Sequence, residues 1–474
     1  MKTGKIISLL LAGMLSVSSV CFADSAIDYS SLLKYELEPE GSLSEENINL
    51  SFSYDSLLNR GSESYDFLST AGDVLVSNIS NTEYLENGLY AVRGQFETDD
   101  VNKTGLFTAE GETLIPEEAA AVYLPDNRKD GSARFLGVIY ATETTDNKDE
   151  CIIYFTDNFV SFDVGEDDTM YKGYAKIFDL EKKAFVEGVE PASFYSGDFY
   201  DLGDSFVLSG GGSTDMYDPD GNKIWSSTGY CSGCTADGLA IRIDNKNYIV
   251  NSAGQDVFKT DFSVDPLNTG LNYFKLYNND EKGYQAVDMN GNPVLDGFYS
   301  SIYQTNGYVF NVSPVSEDEA EKDKELYVTA DGTVLSENAE YLDVTLGGYG
   351  TARMEDSDKA ALVTPNGFYD DLEDGGHLQF GPEKTFAVLN TGELSLTFDE
   401  ETSVGRLKDG MIAVAEKNSS GTVCSAYDLF TGEQILPAEY DAIQVAGNHL
   451  FAQKATSSGG HVWDVFKIHL VPAA

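Results

Sequence analysis

One short pattern recurs along the chain: an alternating apolar stretch, a polar turn ending in glycine, and a second alternating stretch. It appears as YDFLSTAGDVLV (65–76), GLFTAEGETLIP (105–116), DMYDPDGNKIW (215–225), NYIVNSAGQDVF (247–258) and GYQAVDMNGNPVL (283–295). It continues as LYVTADGTVL (326–335), AALVTPNGFYDDL (360–372), FAVLNTGELSLT (386–397) and SAYDLFTGEQIL (425–436), with a degenerate copy, YAKIFDLEKKAFVEG, at 174–188. The turn glycines are Gly72, Gly111, Gly221, Gly254, Gly291, Gly332, Gly367, Gly392 and Gly432. A tight hairpin needs positive φ near its tip, which Gly, Asn and Asp adopt at least cost, so the turn is the part of the unit that stays recognisable.

The flanks of these turns alternate with the period of a strand. Leu239, Ile241 and Ile243 share one face against Ala240, Arg242 and Asp244; Phe466, Ile468 and Leu470 oppose Lys467 and His469; Tyr308, Phe310 and Val312 read as core. An isolated hairpin is marginally stable, so each copy must bury its apolar face against a neighbour. Repetition every ~35–40 residues predicts an all-β, propeller-like array of about ten hairpin-based repeats. Two smaller propellers divided near residue 270, or an open β array, are the alternatives.

The repeats resemble the WG (KWG-type) repeat of secreted and surface bacterial proteins. SAYDLFTGEQILPAEYDAI (425–443) carries the second half of that motif through Gly432, Ile435, Leu436, Pro437, Tyr440, Asp441 and Ile443. KGYQAVDMNGNPVLDGFYSSI (282–302) and TGLFTAEGETLIPEEAAAV (104–122) keep its spacing. The naming tryptophan is replaced by Tyr, Leu or Ala, and the chain holds only Trp225 and Trp463. The resemblance implies a β-repeat architecture and a bacterial exported protein, and it carries over no active residue. Locally, DMYDPDGNKIW (215–225) also resembles the end of a quinoprotein-type propeller blade.

Residues 1–23 have the parts of a secretory signal: Lys2 and Lys5, the apolar run Ile6 to Leu15, and a short polar stretch to Ala23. Export of a soluble chain is expected; lipidation at Cys21 is the alternative, and the residues before it fit a lipobox badly. No later stretch approaches the ~20 apolar residues of a membrane helix. Residues 24–50 form an acidic, non-repeating segment with one short helix expected at 30–36, and 51–474 form the repeat domain. Hydrophobic residues at 42% and aromatics at 12% argue for a folded chain. Its 79 acidic against 30 basic residues, a formal charge of −49, would repel nucleic acid and anionic membranes.

No catalytic set stands out. The four histidines, His377, His449, His461 and His469, accompany no nucleophile elbow. The seven arginines are scattered singly, which does not suit a sialidase-like site. Asp218, Asp220 and Asn222 alternate as in a calcium loop, but the twelfth position of such a loop is Gly229 where a bidentate Glu is needed, so turn formation is the simpler reading. No other cofactor or metal is expected. CSGC at 231–234 sits between turn and strand, with no helix to activate a thiolate; Cys231 and Cys234 read as a local disulfide or inert thiols. Cys151 and Cys424 complete the four cysteines of the chain after its leader. The function expected is non-catalytic binding of a protein or glycan partner at or outside the cell surface. A propeller-type glycoside hydrolase or lyase with paired carboxylates is the alternative, for which the sequence nominates no pair.

Overall fold

The computed structural model describes residues 32–473 apart from 46–47, 54, 62–63, 86–87, 96–100, 126, 129–132, 147–152, 156–168, 190–198, 211, 268–271, 305–308, 317–325, 330–333, 337–338, 345–349, 355–358, 365–366, 374–378, 381–384, 392, 400, 419–420 and 458. Side chains are not described over 329–384. Among the described residues every regular element is a strand, arranged in nine antiparallel sheets that follow one another along the chain. The expected leader, Cys151 and His377 lie outside the described residues. So do Tyr308 and the turn glycines Gly332 and Gly392.

The repeat expected from the sequence is a meander of four neighbouring strands. Phe199–Asp201, Phe206–Gly210, Ser213–Tyr217 and Lys223–Ser227 make one such sheet, and Tyr230–Cys234, Gly238–Ile243, Lys246–Asn251 and Asp256–Thr260 make the next. Two sheets are seven-stranded because neighbouring meanders share a strand. In the first, Val74–Tyr84 pairs with Tyr65–Leu68 through its first half and with Leu89–Gly94 through its second, and Asn78, at φ +57°, marks the switch.

Five of the glycine turns are built alike. The amide of Asp218 donates to the carbonyl of Asn222 and the amide of Gly221 to the carbonyl of Asp218, both at 3.0 Å, while Asp218 Oδ1 accepts from the Asn222 amide at 2.9 Å. The same three bonds close the turns that start at Ser69, Thr108, Asn251 and Asp288. The glycine before the last residue takes positive φ, from +75° at Gly254 to +101° at Gly111. A short side chain with an acceptor, whether Ser, Thr, Asn or Asp, thus starts the turn, and Gly completes it.

These glycines have a second role. A methyl group at Gly221 would lie 2.2 Å from the backbone oxygen of Glu187, and one at Gly291 would lie 2.1 Å from the Phe258 ring. One at Gly254 would meet Trp225, at Gly432 Val388, and at Gly72 Leu43. Each turn therefore seats on the preceding unit, with backbone approach that a side chain would block.

Stacking buries both faces of inner strands such as Leu89–Gly94 and Thr104–Thr108. Leu106 and Ile115 pack with Leu136, Val138 and Phe178; Phe135 and Ile177 with Phe199 and Phe206. Val207 and Met216 pack with Leu239, Ile241 and Val250; Ala240 and Ile249 with Phe274 and Val287. The expected alternation at 239–243 therefore divides two cores rather than core from solvent. Phe310 and Val312 are core as expected, buried with Ala286 and Leu295.

The first and last described strands meet in one sheet. Leu33–Ser44 pairs antiparallel with His461–Pro472 over its whole length, beside His449–Ala455 and Ala442–Ala446. One face packs Phe466, Ile468 and Leu470 toward Met411 and Val414, and the other packs Trp463 and Val465 with Leu57 and Leu68 of the first meander. The short helix expected at 30–36 is corrected here: from Leu33 onward the chain is strand. Leu33, Tyr35 and Leu37 alternate with Lys34, Glu36 and Glu38, a period-two pattern that finds an open strand edge at 461–472.

Candidate functional site

Buried polar groups between units are committed to holding the stack. Asp201, fully buried, accepts from the amides of Arg134, Phe135 and Gly203, and its own backbone is clasped by Asn127. Burial pushes its carboxyl up, against the pull of Arg128 and of those three amides. Arg134 forks onto buried Asp179 at 3.1 and 3.3 Å, and Arg93 donates to Thr104 and to the carbonyls of Val101 and Ala120. Three of the seven arginines are thereby structural ties rather than a convergent anion site.

Asp218, Asp220 and Asn222 lie together at an exposed hairpin tip. Asp218 takes both the amide and the side-chain nitrogen of Asn222, and Asp220 is held by Lys182 at 2.6 Å. Those hydrogen bonds, that of Asn222 foremost, hold the Asp218 carboxyl below its usual range. Cys231 and Cys234 are not joined by a disulfide; they lie on one strand, interrupted by a bulge with Gly233 at φ +132°. Burial, and then the hydrogen bond and charge of Cys231, push the Cys234 thiol well up, away from thiolate chemistry.

Two arrangements reach the surface. The first is an aromatic platform on the sheet containing Phe135–Thr144 and Thr169–Asp179. Tyr140 and Tyr174 are directly opposite across these strands and stack with ring centroids 5.1 Å apart and planes 18° from parallel. Lys176 Nζ stands 5.8 Å from both rings and 5.1 Å from Phe185. Tyr174 is 46% exposed, and the inner end of the same face, at Phe178, packs into the neighbouring meander. Burial, then Tyr174 and Glu118, push the Tyr140 hydroxyl up to about 12, so it stays protonated and able to donate.

The second is a polar cluster at the seam where the chain ends pair. Glu38 and His469 approach to 3.1 Å, Lys467 and Glu110 to 2.9 Å, and Glu40 and His449 to 3.0 Å. Sequence reading set His469 on the strand face opposite Phe466, Ile468 and Leu470, and it is a half-buried strand residue, but that reading grouped none of these residues. They come from three distant stretches, and the one local hint is Pro39-Glu40-Gly41, where the register shifts.

No protein-family model and no curated protein matches the sequence. Among solved structures the chain is similar to the WD40 domain of SCAP from fission yeast, at 7% identity over 73% of this chain and 94% of that one, with a TM-score of 0.27. It is similar to Kluyveromyces lactis Hsv2 at 10% identity over 57% of this chain and 96% of that one, TM-score 0.20. A protein of unknown function from Bacteroides caccae aligns at 9% identity over 49% of this chain and 93% of that one, TM-score 0.19. Likenesses this low carry no functional information about the chain.

Proposed function

We propose that this is an exported, non-catalytic β-repeat protein of WG-repeat type whose stacked sheets close into a ring and present a rigid outer face to a glycan. The observation that carries the reading is the Tyr140–Tyr174 platform with Lys176 beside it. Aromatic faces suit the C–H faces of sugar rings, and a tyrosine fixed by cross-strand pairing loses little freedom on binding. Protonated Tyr140 and the Lys176 ammonium supply donors at the rim. Closure is supported by the terminal strands sharing one sheet and by Gly72 seating on Leu43 as the later turn glycines seat on their predecessors. Export rests on residues 1–23 and on the acidic composition.

A glycan array probed with the chain lacking residues 1–23 tests this. Tyr174→Ala should weaken binding at least about tenfold, in keeping with loss of an aromatic anchor, with an unchanged unfolding midpoint. Binding that persists undiminished in Tyr174→Ala would place the surface elsewhere. Turnover of any glycan would overturn the non-catalytic reading, and capture of a protein partner through Tyr174 in place of a glycan would redirect the ligand class.

A further inference from the structure

We propose that Glu40, Glu110 and His449 form a binding site for one divalent transition-metal ion, of the zinc class, that latches the paired chain ends to the first seven-stranded sheet. Independent elements bring the three together. His449 opens the strand His449–Ala455, Glu110 sits at the tip of the turn between Thr104–Thr108 and Thr113–Ala119, and Glu40 lies on the N-terminal strand.

Glu40 is placed by a bulge. Glu38 pairs with Lys467 and Pro39 with Phe466, but Gly41, at φ +152°, pairs with Val465, so Glu40 is the extra residue. A bulge re-aims the side chain that it carries. Here it brings Glu40 Oε2 to 3.0 Å from His449 Nε2, while Glu110 Oε1 is 4.0 Å from the same nitrogen. All three donor atoms lie within 4.8 Å of one another. Ligands about 2.0–2.2 Å from a tetrahedral ion are about 3.3 Å apart, which the two distances bracket.

The histidine is the observation that points to a ligand. It is completely buried, and neither Nδ1 nor Nε2 has a hydrogen-bond partner among the described residues; the approach of Nε2 to Glu40 is close but outside hydrogen-bonding geometry. Buried imidazole nitrogens ordinarily find partners, because leaving one unsatisfied is costly. Nε2 instead faces two carboxylates. One imidazole nitrogen with two carboxylate oxygens is a donor set for zinc, cobalt, iron or nickel rather than for magnesium or calcium, which prefer all-oxygen shells. Lys467, 2.9 Å from Glu110, supplies the second cation of the cluster and orients that carboxylate.

The test is titration of residues 24–474 with Co2+ in excess Mg2+, which occupies weak carboxylate sites. The expected result is one saturable equivalent with tetrahedral-type absorption bands, displaced by Zn2+, and a Tm raised by about 3 °C at Zn2+ well above Kd and reversed by chelator. Glu40→Gln and Glu110→Gln should each weaken binding at least about tenfold, while Glu38→Gln should not. Both glutamates are partly exposed, so these variants are expected to fold. Absence of a saturable equivalent, or one that both substitutions leave unchanged, overturns the proposal.

Discussion

At the scale of single residues, the turn glycines combine two constraints that can be separated by substitution. Gly212, at φ +92°, has open space where a methyl group would go, whereas Gly221, at φ +81°, faces the Glu187 backbone. Gly212→Ala should cost about 1 kcal/mol through backbone strain alone, and Gly221→Ala about 2–4 kcal/mol because the docked backbone must also move. Denaturant unfolding of the two variants checks this; equal costs would mean that the turn does not seat on its neighbour. The companion residue Asp218 gives a pH signature. Its carboxyl is held below the ordinary aspartate value of 3.8, chiefly by Asn222. A depressed acid stabilises the fold above that value and loses its contribution as pH falls through the lower folded pKa. The stability advantage of the native chain over Asp218→Asn should therefore shrink in acid, seen in urea midpoints across that range, and a pH-independent difference would contradict it.

At the scale of the strand and hairpin, the sequence was most legible where spacing is local. The hairpin turns, their glycines and the alternation at 239–243 and 466–470 follow from period-two patterning and turn chemistry, both properties of neighbouring residues. The N-terminal strand was misread as a helix: its period-two stretch at 33–38 is short, and what fixes it is an edge hundreds of residues away. Its Tyr35 amide donates to Asp428 at 3.1 Å, and Asp428 is itself held by the Phe430 amide and the Thr431 hydroxyl in the turn of a late repeat. Burial pushes the Asp428 carboxyl up against those donors. Asp428→Ala should leave these groups unpaired, at a cost of about 1–3 kcal/mol, and faster amide exchange at 33–37 than in the native chain would show it. Unchanged exchange there would mean that the strand is held by sheet pairing alone. The seam cluster was illegible for the same reason: Glu40, Glu110 and His449 share no spacing, and only the folded register brings them together.

At the scale of the whole molecule, each unit leans on the one before, and the first and last described strands are joined in a single sheet. The strands flanking residue 270, Ser263–Pro266 and Phe274–Asn278, hydrogen-bond to each other, so a division there would split a hairpin. Cores shared between successive sheets predict cooperative loss of structure rather than release of separate halves. The most direct measurement is hydrogen exchange, read by mass spectrometry, on peptides covering 33–44 and 461–472. If the terminal strands pair as described, both peptides exchange slowly and together, at rates matching the buried strands 206–217 and 239–250. Rapid exchange of 33–44 beside a protected 461–472 would contradict closure of the chain ends, and with it the propeller reading.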